Sequence, residues 1–261
     1  MKAARWLGVY AVIVAVLSAF PLLVIVPVSL NPKPMLSLPD GELTLSWYRH
    51  VFTDTSFPEA FFTSGTVALL ASALSIAIGS LAAWTLTRQP FRGSGLVQAF
   101  LMSPLLLARI VYGVAMLIVL TQFGLIRTTT GLVIAHSVVV LPYVVRIVGG
   151  AMLGVASSLE EASAILGAGQ VRTFWHITLP LLRPAILAAG LFSLITSFDE
   201  FTMSVFLVGP RTSTLPVEIF KYVELIVDPS VAAVSVLLIL VSLVAMVALE
   251  KLVGLERALK V

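Results

Sequence analysis

Long runs without a charged side chain dominate the pattern of hydrophobic and polar positions along the chain. Residues 7–30 are uncharged over 24 positions, residues 60–87 over 28 and residues 229–249 over 21. A helix needs about 20 mostly apolar residues to cross the hydrocarbon core of a bilayer. Each of these three runs therefore predicts one membrane-spanning helix.

Three more spans are predicted from apolar runs that charged side chains interrupt. Arg109 lies within residues 93–126, Arg146 within residues 128–153, and an acidic pair within residues 184–210. The predicted fold class is therefore an all-α integral membrane protein with six transmembrane helices. Its single transmembrane domain, residues 1–261, has spans at about 7–30, 60–87, 96–123, 129–153, 184–208 and 229–250.

The composition supports this class. The chain of 261 residues is 59% hydrophobic and only 11% charged, and its mean hydropathy is +1.07. Soluble domains carry about 25% charged residues. Cysteine is absent, which excludes a disulfide framework or a thiolate metal site. The three histidines have no ligand-spaced partners, so no metal site is predicted, and His136 is expected to form a hydrogen bond between helices.

The distribution of Lys and Arg predicts the orientation of the chain. With the N-terminus in the cytoplasm, ten basic residues fall in inner segments and five in outer ones. Because inner loops are enriched in Lys and Arg, both termini are expected in the cytoplasm. The first apolar run exceeds the ~7–15 residues of a signal-peptide core, so it is expected to remain as a span.

The inner segment of residues 155–183 is patterned more strongly than a linker. Ser158 and Glu161 have the spacing of a capping box, in which each side chain bonds the backbone N–H of the other residue. An apolar helix face is expected to follow, made by Leu159, Ala162, Ile165 and Leu166.

The rest of this segment predicts a turn and a second short helix. Gly167 allows the chain to turn, and the second helix is expected at about residues 170–177. Pro180 and Pro184 are expected to separate that helix from the fifth span. A loop of this kind suits either an amphipathic helix on the lipid surface or a docking element for a cytoplasmic partner. The pattern alone leaves both roles open.

One set of residues in the loop has fixed spacing. Glu161-Ala162-Ser163 is followed after three residues by Gly167, after nine more by Ile177, and after one more by Leu179-Pro180. This pattern resembles the EAA loop in permease subunits of binding-protein-dependent ABC importers, which have the MetI-like transmembrane fold. The one departure is Ser163 at the third small-residue position. Further similarity lies at Trp47-Tyr48, Gly79, Ala82-Ala83, Arg88, Pro104 and Gly113, so the resemblance covers essentially the whole chain.

The resemblance implies a multi-pass protein of the bacterial inner membrane with several partners. The loop helix would dock on a cytoplasmic ATP-binding subunit, present as a dimer, whose closure reorients the membrane helices. A second permease subunit, usually a different chain, and a periplasmic solute-binding protein would complete the importer. Besides membrane lipid no other partner is implied, and no nucleic acid. The residues expected to couple to the ATPase are Glu161, Ala162, Gly167, Ile177, Leu179 and Pro180. Among them, Glu161 would cap or orient the helix.

The resemblance also implies where ATP is bound and what is transported. The chain contains no G-x-x-x-x-G-K-[ST] motif, so ATP and Mg²⁺ are expected in the partner ATPase, with no cofactor and no catalytic residue here. The stretches SFDEF, GPRTSTLPVEIF and DPSVAAVSVLLIL most resemble the second permease of spermidine/putrescine-type importers. A polyamine or a similar cation is therefore the expected solute. Iron, a phosphonate, a modified amino acid or a sugar are the alternatives.

Two adjacent carboxylates, Asp199 and Glu200, lie within the fifth predicted span, where ionised groups are costly. On a continuous helix with about 100° per residue, Glu200 is central in a polar stripe and Asp199 lies at its edge. We therefore expect Glu200 to face the translocation path and Asp199 to face a neighbouring helix. The stripe comprises Ser193, Thr196, Ser197, Glu200 and Ser204.

Arg109 provides a second interpretation of this acidic pair. It is predicted ~20 Å along the third span, and Glu200 ~24 Å along the fifth, so the two lie at similar depths. Charged groups within membranes commonly pair with one another. The sequence leaves open whether Asp199 and Glu200 contact a cationic solute or form a structural or gating pair with Arg109.

Two other classes of function are alternatives to an ABC permease. An ATP-independent secondary transporter using Asp199 and Glu200 predicts inverted repeats, and the sequence has no evident one. A membrane-bound enzyme predicts a nucleophile with a base, or clustered His and Asp ligands, and neither is evident. The spacing of the EAA-like residues favours the permease.

Overall fold

The computed structural model describes residues 2–53, 56–89, 91–226 and 228–253, and within these ranges every regular element is helical. Long apolar runs form helices because a helix satisfies its backbone polar groups within its own segment, as a lipid environment demands. The predicted all-α class is therefore confirmed.

Twelve α-helices follow one another in the described chain. They are α1 (Lys2–Ser29), α2 (Ser46–Thr53), α3 (Ser56–Arg88), α4 (Ser94–Met102), α5 (Arg109–Gln122), α6 (Thr129–Leu153), α7 (Ser157–Ile165), α8 (Gln170–Thr173), α9 (Leu179–Phe198), α10 (Ser204–Leu207), α11 (Leu215–Leu225) and α12 (Ser230–Val253). A 3₁₀ turn, Ser103–Leu105, follows α4, and a π-helical turn, Phe174–Thr178, joins α8 to α9.

The described residues form two compact units. The first comprises the described parts of Met1–Pro58 and Glu218–Val261, and in it α12 packs against α1 and α2. The second, Glu59–Val217, contains most of α3 and all of α4–α10. Every candidate site residue lies in this second unit.

Four helices of the described chain are long and apolar enough to cross a bilayer. They are Tyr10–Ser29, Ser56–Arg88, Thr129–Leu153 and Gln170–Phe198. The bent pair of α4 and α5 forms a fifth if it is counted as one span, and a shorter apolar helix, Ser230–Val244, lies where the sixth is predicted. Six spans in total stay a prediction.

The third predicted span, residues 96–123, is not one straight helix. The helical run that begins with α4 ends at Leu105, α5 begins at Arg109, and the two are bent by 105°. Pro104 lacks a backbone N–H, and Ala108 is extended at φ −60°, ψ 133°, so the helical ladder is not continued. The break places Arg109 in the first turn of α5, whereas the predicted position was midway along a span.

The fifth predicted span, residues 184–208, both begins and ends earlier than expected. A helix runs without interruption from Gln170 to Phe198, so the predicted second short helix is its first part. The predicted coupling segment of residues 155–183 is correspondingly shorter. After Phe198 the chain turns and forms the short helix α10.

The two prolines of this region do not end the helix as predicted. Pro180 lies in the first turn of α9 and Pro184 one turn later, and both are within continuous helix. The wider π-helical turn precedes them directly. Helices of membrane proteins tolerate proline because local π and 3₁₀ adjustments satisfy the freed backbone groups.

Helices α3 and α6 share two hydrophobic clusters in the second unit. One cluster joins them to α5 and α10, and the other joins them to α9. Close approach of helices in membranes depends on small residues. At Gly79 of α3 a Cβ atom would lie 2.8 Å from Cγ1 of Val144 in α6, so only glycine fits there without a shift.

Candidate functional site

The loop helix α7 ends in a turn that favours glycine. Gly167 has φ +83°, in the left-handed region that L side chains rarely adopt. Its N–H donates to the carbonyl of Ala164 at 2.9 Å, and the N–H of Ala168 donates to the carbonyl of Ser163 at 3.0 Å. These are the two bonds of a Schellman motif, so Gly167 ends the helix as the resemblance implies.

The start of α7 differs from the prediction. The helix begins at Ser157, Ala156 occupies the N-cap position, and no side chain caps the helix there. The predicted capping box of Ser158 and Glu161 is therefore wrong, because Ser158 lies within the helix and not at its N-cap. Glu161 is exposed.

The predicted apolar face of α7 is exposed within the described chain. Ile165 and Leu166 are 86% and 87% exposed, and Leu159 and Ala162 are exposed as well. Exposed apolar patches on folded proteins mark protein or membrane interaction sites. The exposed Glu161 lies on the same short helix, so α7 presents both apolar and acidic groups to the exterior.

The other residues of the EAA-like pattern lie at the start of the long helix. Ile177 is in the π-helical turn, Leu179 and Pro180 begin α9, and all three are half-buried. Ser163 is buried, and its hydroxyl hydrogen-bonds to that of Thr173 at 2.9 Å. The one departure from the family pattern therefore contributes a bond between α7 and α8.

An ion pair joins the two broken spans. Nη1 of Arg109, at the start of α5, pairs with Oε2 of Glu200, two residues after the end of α9. The side chain of Glu200 is 8% exposed and that of Arg109 is 32% exposed. Nη2 of Arg109 also donates to the hydroxyl of Tyr143 at 3.3 Å. Of the two interpretations from the sequence, the structure contains the pair.

Glu200 also fixes the turn that follows α9. Its Oε1 accepts a hydrogen bond from the backbone N–H of Met203 at 3.0 Å, and its carbonyl accepts one from the Ser204 hydroxyl at 2.7 Å. One carboxylate thus serves Arg109 and the backbone at the start of α10. Movement at Glu200 would disturb both broken helices.

The exposure of the acidic residues is opposite to the prediction. Glu200 is buried, whereas Asp199 is exposed and its side chain has no hydrogen bond or ion pair with another residue in the described ranges. The helix ends at Phe198, so the angular spacing of a continuous helix does not extend to Asp199 or Glu200. Asp199 caps the C-terminus of α9, where the partial negative charge of the helix end favours a cation.

His136 bridges the break in the fifth span, which confirms its predicted role between helices. Its Nδ1 lies 2.8 Å from the Ser197 hydroxyl and its Nε2 lies 3.0 Å from the Ser204 hydroxyl. Ser197, a predicted pathway residue, is buried by this contact. Tyr143 was not predicted as a site residue. Nothing in the sequence around a single tyrosine in an apolar span indicates that its hydroxyl will accept a hydrogen bond from Arg109.

These features together define a multi-pass membrane transport subunit. They are the bilayer-length apolar helices, the two broken helices joined by a charge pair, and the exposed helical loop. Residues 75–254 match the family described as "Binding-protein-dependent transport system inner membrane component". The chain belongs to this family. It is therefore a transport component of the bacterial inner membrane and not a catalytic subunit.

Curated relatives support this assignment. The spermidine/putrescine transport system permease protein PotC of Haemophilus influenzae is 32% identical over 89% of this chain and 90% of its own. The putrescine transport system permease protein PotI of Escherichia coli is 28% identical over 84% of this chain and 80% of its own.

Solved structures support the fold. A bacterial ABC transporter involved in the import of the acidic polysaccharide alginate has a chain with a TM-score of 0.72 and 15% identity, covering 97% of both chains. The inward-facing MetNI methionine ABC transporter has one with a TM-score of 0.62 and 18% identity, covering 81% of this chain and 98% of its own. At these identities the likeness concerns the fold alone.

Proposed function

We propose that this chain is the permease subunit of an ATP-driven importer and forms half of the translocation pathway for a small cationic solute, a polyamine or a similar compound. The observation that carries the proposal is α7, a helix that ends at Gly167 and exposes its apolar face directly before a bilayer-length helix. Membership of the binding-protein-dependent transport family supports a partner protein as the ligand of this exposed face.

The proposed partner of α7 is a cytoplasmic ATP-binding subunit, present as a dimer, that holds ATP and Mg²⁺. Apolar side chains that are more than four-fifths exposed, such as Ile165 and Leu166, are costly in water, and docking would bury them. Glu161 would reach the same partner from its exposed position. With α7 on the cytoplasmic side, both chain termini are proposed in the cytoplasm as well, which the distribution of Lys and Arg supports.

Two more proteins belong to the proposed importer. A second permease, a different chain of the same family, would supply the other half of the pathway. A periplasmic binding protein would deliver the solute. An alginate ABC transporter of similar fold has been solved in complex with an alginate pentasaccharide-bound periplasmic protein, so this fold accommodates such a partner.

A polyamine is the solute best supported. The relatives PotC and PotI are named for spermidine and putrescine transport. Asp199 adds an exposed carboxylate at the C-terminal end of α9, and both features attract an ammonium group. Glu200 is paired with Arg109 and is therefore proposed as part of a gate that links the broken helices.

The test begins with recovery of the tagged chain from its native membrane in a mild detergent, followed by mass spectrometry of co-purifying proteins. We expect an ATP-binding subunit and a second permease. The complex is then placed in vesicles with its binding protein, and uptake of labelled putrescine and spermidine is measured with ATP inside. Uptake that needs ATP and the binding protein supports the proposal.

Two results would contradict it. Transport by this chain alone, without ATP, would make it a secondary transporter that uses Asp199 and Glu200. ATP-driven uptake of a sugar, phosphonate, iron or amino acid, with no polyamine uptake, would keep the importer and overturn the solute. The binding protein supplies an independent check, because polyamines should raise its melting temperature.

A further inference from the structure

Arg88, the last residue of α3, contacts the end of α6, the segment after it and the loop helix α7. Its Nη2 donates to the carbonyl of Met152, at 3.3 Å, and to that of Val155, in the segment that joins α6 to α7. Its Nε lies 3.3 Å from Oε2 of Glu160 in α7, a charge contact without hydrogen-bond alignment. The side chains of Arg88 and Glu160 are 16% and 19% exposed, so solvent screens this pair less than a surface pair.

Glu160 also reaches the long helix of the fifth span. The hydroxyl of Thr178, fully buried in the π-helical turn, donates to Oε1 of Glu160 at 2.7 Å. The two oxygens of a single carboxylate thus hold Arg88 of α3 and Thr178 at the start of α9. Through Arg88, the same cluster includes the C-terminal end of α6.

We propose that Glu160 is the positioning residue that makes α7 move together with α3 and α9. The inference rests on the proposed function, because it assigns the route by which force on α7 reaches the spanning helices. The nine-residue helix α7 also contacts the long helix through the bond between the Ser163 and Thr173 hydroxyls, and Glu160 supplies its side-chain contact with α3. With Glu160 in place, tilting α7 alone would break a charge-assisted contact and leave a buried hydroxyl unpaired.

The two adjacent acidic residues of α7, Glu160 and Glu161, therefore have different proposed roles. Neighbouring positions on a helix differ by about 100°, so one can face the ATPase while the other faces the spans. Glu161 is exposed, whereas Glu160 is half-buried against Arg88 and Thr178. The family-pattern glutamate is Glu161, and the structure assigns the transmission step to the residue before it.

The test uses the assembled complex in vesicles and measures solute transported per ATP hydrolysed. Glu160→Gln keeps an oxygen that can accept from Thr178 but removes the charge that faces Arg88. We expect ATPase activity to persist while the transport-to-hydrolysis ratio falls roughly tenfold, as loss of one charge-assisted contact allows. Arg88→Gln should give the same fall, and the double variant should be no worse than the poorer single variant, because both act through one pair.

Arg92→Gln is the matched control, since Arg92 is exposed and four residues beyond Arg88. It should leave the ratio unchanged, and each variant should co-purify with its ATPase as the wild type does. An unchanged ratio in Glu160→Gln, or additive losses in the double variant, would overturn the inference. Failure of the wild-type complex to transport with ATP would instead contradict the proposed function.

A distance measurement separates positioning from general loss of structure. The chain has no cysteine, so two can be introduced as clean spin-label sites, Ser157→Cys in α7 and Leu81→Cys in α3. With Glu160 present we expect one narrow distance distribution that is the same with and without ATP. Glu160→Gln should broaden it. A distribution equally narrow in the variant would overturn the proposed coupling of the two helices.

Discussion

The ion pair between Arg109 and Glu200 makes a sharp prediction about stability. Replacing Glu200 by Gln removes one charge and leaves the guanidinium of Arg109 facing a neutral amide. Breaking a buried pair by removing one partner costs about 3–5 kcal/mol. Arg109 keeps its bond from Nη2 to Tyr143 and is 32% exposed, so we expect the lower limit, about 3 kcal/mol.

This loss is measurable as a change in melting temperature. For a protein of this size about 1 kcal/mol corresponds to about 2–4 °C, so Glu200→Gln should lower the melting temperature by roughly 6–12 °C. The purified complex in lipid nanodiscs can be heated while the fluorescence of the four tryptophans of this chain is followed. Arg109→Gln should be destabilised at least as much, since the buried Glu200 then loses its counter-charge.

The double variant Arg109→Gln/Glu200→Gln decides whether the pair is the cause. In the double variant neither charge is left without its partner, and an unpaired charge is the main cost in each single variant. We therefore expect the double variant to melt above either single variant. If its loss equals the sum of the two single losses, the side chains act independently, and the reasoning from the pair fails.

Three further predictions concern the remaining site residues. Asp199→Asn should raise KM for polyamine uptake roughly three- to tenfold through loss of a charge-assisted bond. Glu42, an exposed carboxylate between α1 and α2, provides the control, and Glu42→Gln should leave KM unchanged. A KM change that is equal in both would contradict the role of Asp199. Gly167→Val forces a β-branched residue into the left-handed region and should reduce co-purification of the ATPase, while Gly169→Ala, at φ −71°, should not. Ser163→Ala removes the hydroxyl bond between α7 and α8 and should lower the local stability there by about 1 kcal/mol. Amide hydrogen exchange in α8 should then be faster, and unchanged exchange would contradict this role.

The loop shows how far spacing alone can be taken. The pattern of residues 155–183 predicted a helix and a turn at Gly167, and the structure contains both, whereas the predicted separation at Pro180 and Pro184 was wrong. The cap was wrong because Ser and Glu at capping distance also occur inside helices. Only the tertiary structure reveals that Glu160 in α7 faces Arg88 in α3.

For the intramembrane charges, the sequence predicted less than it did for the loop. The sequence indicated that Arg109 and an acidic residue lie at similar depth, which follows from counting along helices. It did not indicate which carboxylate would pair. That choice depends on where the fifth span ends, and the end at Phe198 is set by contacts of Glu200 and His136 with residues distant in sequence.

The sequence by itself determined the membrane class, the family and the position of the loop helix. Each of these depends on hydrophobic run length or on fixed local spacing, and both are readable along the chain. The tertiary structure alone decided the breaks at Arg109 and after Phe198, the exposure of Asp199 and the contacts of Glu160. A charge within a membrane is stabilised by partners from other helices, so its environment is fixed only when those helices have packed.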